Sequence, residues 1–320
     1  MVSVIIPVYN GEQFIQKCLD SLQLEKHREL EVIAVNDGSK DGSLALLREY
    51  AEKHSNLKVI DKENAGAAQA RHDGVMAASG DYVAFLDVDD HVVPDLYDTL
   101  EKSAVAKDAD ILVFDYIEEY PTRSGEIKNA FDKEQTFPLQ GKETLRYLHR
   151  RKAIFPFPWN KLYRAALLRE VQFPQGNFVG EDYNMLLQLF SQTDRIFYEP
   201  IAGYHYVLTE SSVSRRGYSV ATVLAYEHYK EDFAFMCEHH AELKKEVTNY
   251  LITEYMAMII SMGRNDTYDR PMIKEIKRFV RKGLLKFLCA GYVPMKMKGS
   301  AVALCLSYKL LIFMYRRLSK

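Results

Sequence analysis

Three carboxylates stand within four residues at Asp87-Val88-Asp89-Asp90, directly after the apolar run Tyr82-Val83-Ala84-Phe85-Leu86. That run has the aromatic and β-branched content of a buried strand, and Gly80-Asp81 before it is a turn signal. Carboxylates crowded this closely repel one another unless a cation or hydrogen-bond donors compensate. Oxygen ligands of this kind suit Mg²⁺ or Mn²⁺, and Mg²⁺ usually engages one or two carboxylates plus a substrate's phosphates. The carboxyl end of a strand in an open α/β sheet is also where ligands bind. The turn therefore reads as a metal and diphosphate site rather than a solvated acidic loop. A second acidic pair, Glu181-Asp182, opens an apolar helix through Tyr183, Leu186, Leu187 and Phe190. Acids in a first turn stabilise any helix, so position alone does not make this pair chemical.

The elements that would hold these groups alternate in type. Val2 to Asn10 reads as a buried strand ending in a turn, and Phe14, Cys18, Leu19 and Leu22 follow at helical spacing. Leu30 to Val35 is a second strand, closed by Asn36-Asp37-Gly38-Ser39, with Ser39 or Asp41 placed to cap the next helix. Leu57 to Ile60 is a third strand, Ala67 to Ala78 a helix, Tyr82 to Leu86 the fourth strand and Ile111 to Phe114 the fifth, with Pro94 where a helix can begin. This alternation predicts a mostly parallel sheet covered on both faces. From Ile117 to Phe157 the pattern loosens into loops and a short helix near Lys142 to Arg150. Beyond Ser219 the chain reads as nearly all helical, with a break around Asn265 to Pro271.

Other chemistries are disfavoured by the same residues. The first turn, Tyr9-Asn10-Gly11-Glu12-Gln13, is neither a dinucleotide-binding Gly-x-Gly-x-x-Gly nor the basic Gly-rich loop of a nucleotidyltransferase, and no phosphate loop with Gly-Lys-Ser/Thr occurs. Cys18, Cys237, Cys289 and Cys305 are scattered, which points away from a zinc site or a disulfide framework and towards a reducing cytoplasm. The chain enters its first strand at Val2, so no signal peptide is expected. With 48% hydrophobic and 27% charged residues the composition is that of a folded protein.

In order along the chain, Val4-Ile5-Ile6-Pro7-Val8-Tyr9-Asn10, Asn36 to Ser43, Asn64 to Gly74, Leu86 to Asp90 and Glu181-Asp182 together resemble family-2 inverting glycosyltransferases with the GT-A fold. The resemblance covers about the first 215 residues. It implies that Pro7 and Tyr9 contact the nucleotide base, that Asp37 accepts from the uracil imide, and that Asp87 holds the ribose hydroxyls. It implies Asp89 as the ligand of Mn²⁺ or Mg²⁺, with Asp90 beside the sugar or structural. Asn64 and Arg71 belong to a stretch similar to the family's Asn-x-Gly-x-x-x-Ala-Arg-Asn, with His72 in place of the last Asn; Arg71 pairs with the donor or with the acidic cluster. In the pair Glu181-Asp182 the resemblance makes Asp182 the general base, and it places an acceptor-side segment at Trp159 to Arg164. Tyr204 to Ser214 is similar to a loop that closes over the donor. Val207 stands where many relatives carry Arg, leaving His205, Arg215 and Arg216 as substitutes.

The fold expected is thus α/β, a GT-A (Rossmann-like) mostly parallel sheet flanked by helices, followed by a helical C-terminal region. Residues 1–218 would form the nucleotide-sugar-binding and catalytic domain and 219–320 the helical region. The function expected is transfer of a sugar from a UDP-sugar to a hydroxyl of a lipid-linked or surface-glycan acceptor, with no nucleic-acid partner. The alternatives are a non-catalytic nucleotide-sugar sensor or scaffold of the same fold, which loss of Asp89 or Asp182 would signal, and a nucleotidyltransferase.

Charge divides the chain unevenly. The first 275 residues hold 31 basic and 44 acidic side chains, a net −13, whereas the last 45 hold 11 basic ones and no acid. Ile276, Phe279, Val280, Leu284 and Phe287 make an apolar stripe with Lys277, Arg278, Arg281 and Lys282 mostly off it. Ala301 to Tyr315 is apolar apart from Ser307 and Lys309, short of the ~20 residues a spanning helix needs. A basic amphipathic tail lying on an anionic membrane surface is expected, peripheral at the inner face of the cell membrane. The other reading packs the stripe on the catalytic body or on a second copy of the chain in a homo-oligomer.

Overall fold

Val2–Val8 forms β1 and is buried along almost its whole length, as a strand covered on both faces must be. The computed structural model describes residues 1–120, 123–128, 131, 135–173, 180–208 and 218–318. The chain divides into one unit of Met1–Thr144 with Pro156–Ser212 and another of Leu145–Phe155 with Val213–Lys320.

The first unit continues with α1 (Glu12–Ser21), β2 (Glu31–Asp37), α2 (Ser43–Lys53), β3 (Leu57–Lys62), α3 (Ala67–Ala77), β4 (Tyr82–Phe85), β5 (His91–Val92), α4 (Leu96–Ala106) and β6 (Ile111–Tyr120). Then come β7 (Arg123–Lys128), β8 (Phe137–Leu139), α5 (Gly141–Arg150, whose last turns fall in the second unit), β9 (Lys161–Arg164), α6 (Ala165–Arg169), α7 (Glu181–Gln192) and β10 (Ile196–Val207). The sheet order is β3-β2-β1-β4-β9-β6-β10-β5, with β7 on β6 and β8 on β10. β2, β1 and β4 run parallel side by side, with Val8 opposite Asn36 and Ile5 opposite Phe85. The segments following all three strands therefore emerge at one edge, the crevice that open α/β sheets use for ligands. β9 runs antiparallel to both β4 and β6 and reverses the direction in mid-sheet.

α3 carries small residues on the face it turns to the sheet. A β-carbon on Gly74 would lie 2.4 Å from Cγ2 of Ile5, so only glycine lets the helix settle this close to β1. That approach brings Arg71, on the same helix, over the ring of Phe85 at the end of β4.

The mostly parallel sheet, its flanking helices and the helical C-terminal region match the expectation from sequence. Three differences have physical causes. The expected fifth strand runs on past Phe114 to Tyr120, hidden in sequence by Asp115, Glu118 and Glu119. The twelve-residue β10 includes Tyr204 to Val207, expected as loop; its Pro200 and Gly203 read as breakers, and the structure absorbs them as register shifts between Glu199 and Tyr204. Helix α2 starts at Ser43; of its two expected caps, Asp41 accepts the Ser43 N–H at 3.1 Å, whereas the Ser39 hydroxyl accepts the Asn10 N–H at 3.0 Å. Residues 209–217, which hold the rest of that expected loop with Arg215 and Arg216, lie outside the described residues.

The second unit contains α8 (Val220–His239), α9 (Lys244–Arg264), α10 (Arg270–Leu288), α11 (Met295–Leu306) and α12 (Tyr308–Leu318). The expected break near Asn265 to Pro271 is present, and others separate α8 from α9, α10 from α11 and α11 from α12. The α10 stripe does not face outward. Ile276, Val280 and Phe287 are fully buried, and Phe279 packs edge-on against Phe233 and Tyr255, because α9 and α8 offer it an apolar partner within the unit. The apolar run from Ala301 to Tyr315 is divided at Ser307 into two helices. Among the described residues no helix is long and apolar enough to cross a membrane.

Candidate active site

β4 ends at Phe85 and the chain turns at once, with the Asp90 N–H closing on the Asp87 carbonyl at 3.0 Å. The three carboxylates of this turn part company. Asp90 is 2% exposed; one of its oxygens accepts the Tyr204 hydroxyl at 2.6 Å and the other the Val207 N–H at 2.7 Å. Burial, reinforced by the charge of Asp87, pushes the Asp90 carboxyl up to about 9. The same Tyr204 oxygen accepts the Asp87 N–H at 3.2 Å, so one phenol on β10 holds both ends of the turn. Tyr204 is itself fully buried and stacks on Trp159 with ring centroids 4.5 Å apart. Asp87 and Asp89 stay half-buried, and the Asp89 carboxyl is raised by burial and by its neighbour Asp87.

Arg71 joins this turn to the second acidic pair. Its guanidinium donates through one terminal nitrogen to Asp87 Oδ1 at 2.9 Å and through the other to Asp182 Oδ1 at 2.9 Å. The side chain is almost fully buried. Burial alone would lower its pKa, but Asp182 and Asp87 outweigh that and hold the charge firmly in place. An arginine suits this position because its planar fork presents two donors to two separate acceptors, which a lysine cannot do in the same geometry.

Gly180 adopts a left-handed backbone (φ 106°) immediately before α7 and sets the angle at which the helix starts. Tyr183, Leu186, Leu187 and Phe190 anchor the inner face of α7, which leaves Glu181 and Asp182 half-buried at its first turn. The Asp182 carboxyl is raised by burial, opposed by Arg71 and reinforced by Asp87; that of Glu181 is raised by burial and by Asp182. Asp182 also acts on a residue of the segment Trp159 to Arg164 to which sequence reading gave no role of its own. Lys161 is fully buried and donates to the Phe157 carbonyl at 2.6 Å and to Asn160 Oδ1 at 2.7 Å. Burial pushes its ammonium down to about 7 against the opposing pull of Asp182. A lysine between Trp159-Asn160 and Leu162-Tyr163 was the available signal, since a charge inside an apolar strand is rarely left without a role.

Asp37 and Asn64 form a second group at the same sheet edge. Asp37 is the last residue of β2, the neighbour of β1, and is buried; its two oxygens accept the N–H groups of Ala65 at 2.8 Å and Gly66 at 2.9 Å, while Asn64 donates to the Asp37 carbonyl at 2.8 Å. Pro7 is paired with Val35 inside β1, and Tyr9, just beyond the strand, is 51% exposed. His72 sits edge-on to Phe173, a structural packing contact. The structure thus brings Arg71, Asp87 and Asp182 into direct contact, draws Asp90 into the interior, and sets Tyr9, Asp37 and Asn64 on adjoining strand ends.

Comparison with known proteins accords with this architecture. The model of glycosyl transferase family 2 matches residues 3–172, a span that stops short of Glu181-Asp182. Over 265 residues the chain is 32% identical to the protein named putative glycosyltransferase EpsH of Bacillus subtilis, covering 78% of this chain and 74% of that one. Its fold is similar to that of S. aureus TarS 1-349, solved in complex with UDP-GlcNAc, with a TM-score of 0.70 at 20% identity over 99% of this chain and 91% of the other. It is also similar, with a TM-score of 0.51 at 18% identity over 98% and 83% of the two chains, to the mannosyltransferase PcManGT from Pyrobaculum calidifontis, solved with GDP-Man and Mn²⁺. The chain belongs to glycosyl transferase family 2 and is a glycosyltransferase with the GT-A fold.

Proposed function

We propose that the protein is a metal-dependent inverting glycosyltransferase that moves a sugar from a UDP-sugar to a hydroxyl of a lipid-linked or surface-glycan acceptor. The observation that carries this reading is the pair of 2.9 Å contacts from Arg71 to Asp182 and Asp87. Inversion needs a base on the face of the sugar opposite the departing diphosphate. Asp182 is that base: its free oxygen takes the acceptor hydroxyl's proton while Arg71 fixes the other oxygen and favours the ionised form. Asp87 receives the ribose hydroxyls, and Asp37, held rigid by two backbone donors, receives an N–H of the uracil. Pro7 and Tyr9 face the base, with Asn64 bracing the loop that carries Asp37. Asp90, closed off by Tyr204 and Val207, takes the structural one of its two readings.

The residues of the turn fit a divalent cation. Asp87 and Asp89 are hard oxygen donors on one short turn, and the crowding that raises the Asp89 carboxyl is relieved by positive charge. Asp89 would hold the ion, Mn²⁺ or Mg²⁺, which when bound neutralises charge building on the diphosphate. The solved neighbours with UDP-GlcNAc and with GDP-Man and Mn²⁺ support a nucleotide-sugar donor and a metal.

Residues 1–218 would carry this chemistry, and 219–320 would hold the protein peripherally on the inner face of the cell membrane, where a lipid-linked acceptor resides. Supporting that location, α10 presents Arg270, Lys274, Lys277, Arg278, Arg281 and Lys282 along a groove of about 780 Å³. Leu285, Leu306 and Phe313 of the same unit stand exposed. The test is UDP release from a panel of UDP-sugars with and without a polyprenyl-diphosphate-sugar acceptor, with NMR of the product's anomeric configuration. Acceptor-dependent release with inversion supports the reading; retention, or release only from a GDP-sugar, overturns it.

A further inference from the structure

On the face of the sheet opposite Asp90 and Tyr204, three side chains from three strands converge. His91 of β5 is opposite His205 of β10, and Val207, two residues further along β10, is opposite Glu119 of β6, so strand alternation sends all three side chains to the same side. Glu119 Oε2 lies 3.3 Å from Nε2 of His91 and 3.4 Å from Nδ1 of His205, and the two imidazoles stack with centroids 4.4 Å apart. One ligand atom from each residue falls within 4.8 Å of the other two. Glu119 Oε2 and His91 Nδ1 are buried, and neither has a hydrogen-bond partner among the described residues.

Those separations are long for hydrogen bonds, whose usual range ends near 3.2 Å. Both are close to the edge, about 3.3 Å, of a tetrahedron whose centre lies 2.0–2.1 Å from nitrogen and oxygen ligands, and the third separation, between the two imidazole nitrogens, lies within 4.8 Å. Two imidazoles and one carboxylate form a borderline donor set suited to Zn²⁺ and its transition-metal neighbours rather than to Mg²⁺ or Ca²⁺. The other oxygen of Glu119 faces the exposed ammonium of Lys17 at 3.5 Å, an ion pair outside the cluster. We infer that His91, Glu119 and His205 form a transition-metal site of the zinc class, with a fourth position open to water. The ion would clip the two-residue edge strand β5 to β6 and β10. Because Asp89 and Asp90 immediately precede His91, that clip would steady the catalytic turn from behind while taking no part in sugar transfer.

The test uses metal-stripped full-length protein titrated with Co²⁺. A tetrahedral nitrogen–oxygen site gives intense visible absorption, whereas an octahedral all-oxygen site at Asp89 absorbs only weakly. Absorption saturating at one equivalent, displaced by Zn²⁺, weakened at least about tenfold in affinity by His205→Gln and by Glu119→Gln, and retained in Asp89→Ala supports the site. Zn²⁺ should also raise the melting temperature of the wild type but not of Glu119→Gln, a variant at a partly exposed position that keeps the inference testable if His205→Gln does not fold. Absence of visible absorption at one equivalent, absorption unchanged in both His205→Gln and Glu119→Gln, or absorption abolished by Asp89→Ala overturns it.

Discussion

Arg71 on α3 donates to Asp182 on α7 at 2.9 Å across 111 residues of sequence, and the same guanidinium holds Asp87 at the end of β4. Asp182 and the turn that follows β4 are thereby fixed to one rigid side chain. A buried arginine with two carboxylate partners is costly to break, since its loss leaves two uncompensated charges. Arg71→Lys should keep the charge but lose one of the two contacts. We expect turnover to fall about a hundredfold and stability by about 3 kcal/mol, read by acceptor-dependent UDP release and by urea unfolding. Wild-type turnover in Arg71→Lys would separate this bridge from catalysis.

Asp182→Asn preserves shape but cannot accept a proton. Donor affinity should hold while turnover falls about a hundredfold or more. The pH profile carries a sign. Burial raises the Asp182 carboxyl, so the wild-type rate should decline as pH falls through a value above the usual aspartate range. Because Arg71 opposes that rise, Arg71→Ala should move the acid limb to still higher pH. Loss of UDP binding in Asp182→Asn, with turnover intact at saturation, would make Asp182 a binding residue.

The sequence made these groups legible to different degrees, and chain distance explains why. Asp87, Asp89 and Asp90 could be placed because a strand runs directly into them, and Glu181-Asp182 because a helix starts there. Arg71 was readable as a partner of the acidic cluster, but its contact with Asp182 depends on α3 settling onto β1 at Gly74, a packing event with no local signature. Tyr204 was hidden because Pro200 and Gly203 disguise β10 as loop. The burial of Lys161 likewise follows from β9 lying between β4 and β6, which short-range pattern does not announce. The α10 stripe was correctly seen as apolar, yet amphipathicity alone does not say whether water, lipid or another helix covers it.

Asp89→Ala should abolish transfer and remove any Mn²⁺ dependence of UDP binding, with the fold retained. Calorimetric titration of UDP with and without Mn²⁺ reads this directly. If the variant keeps the wild-type metal dependence, Asp89 is not the ligand.

Glu31, at the start of β2, is expected to make the stability of the fold depend on acid pH. It accepts from Lys58 at 2.5 Å, from the Ser79 N–H and hydroxyl at 2.8 Å each, and from the Ser3 hydroxyl. Burial alone would raise its pKa, but Lys58, Ser3 and Ser79 outweigh it and hold the carboxyl at about 2. A carboxylate depressed in the fold stabilises it above the unfolded value, 4.5, and that stabilisation is lost as pH falls towards 2. Glu31→Gln should therefore cost about 1–3 kcal/mol at pH 7, and the gap from wild type should close between roughly pH 5 and pH 2 in urea titrations. A gap independent of pH would assign the cost to packing instead.

Membrane attachment can be tested without dismantling the second unit. Deleting α10 would remove Ile276, Val280 and Phe287 from its core, so point substitutions on the outer surface are the proper probe. Lys277 and Arg281 donate to backbone carbonyls of Leu306 and Cys305 and help hold α11 in place. Lys274, Arg278 and Lys282 are exposed on the same groove and can be reversed to glutamate with little structural cost. If the groove meets anionic lipid, each basic residue near the surface contributes about 1 kcal/mol, so the triple reversal should abolish sedimentation with phosphatidylglycerol vesicles at low salt. Wild type should pellet with those vesicles, release as salt rises, and ignore neutral phosphatidylcholine. Leu306→Asp with Phe313→Asp should weaken binding at both low and high salt, because it removes the apolar contribution that salt does not screen. Should wild type ignore anionic vesicles at low salt and the apolar double variant instead convert a dimer to a monomer on gel filtration, the exposed face is a contact between copies of this chain.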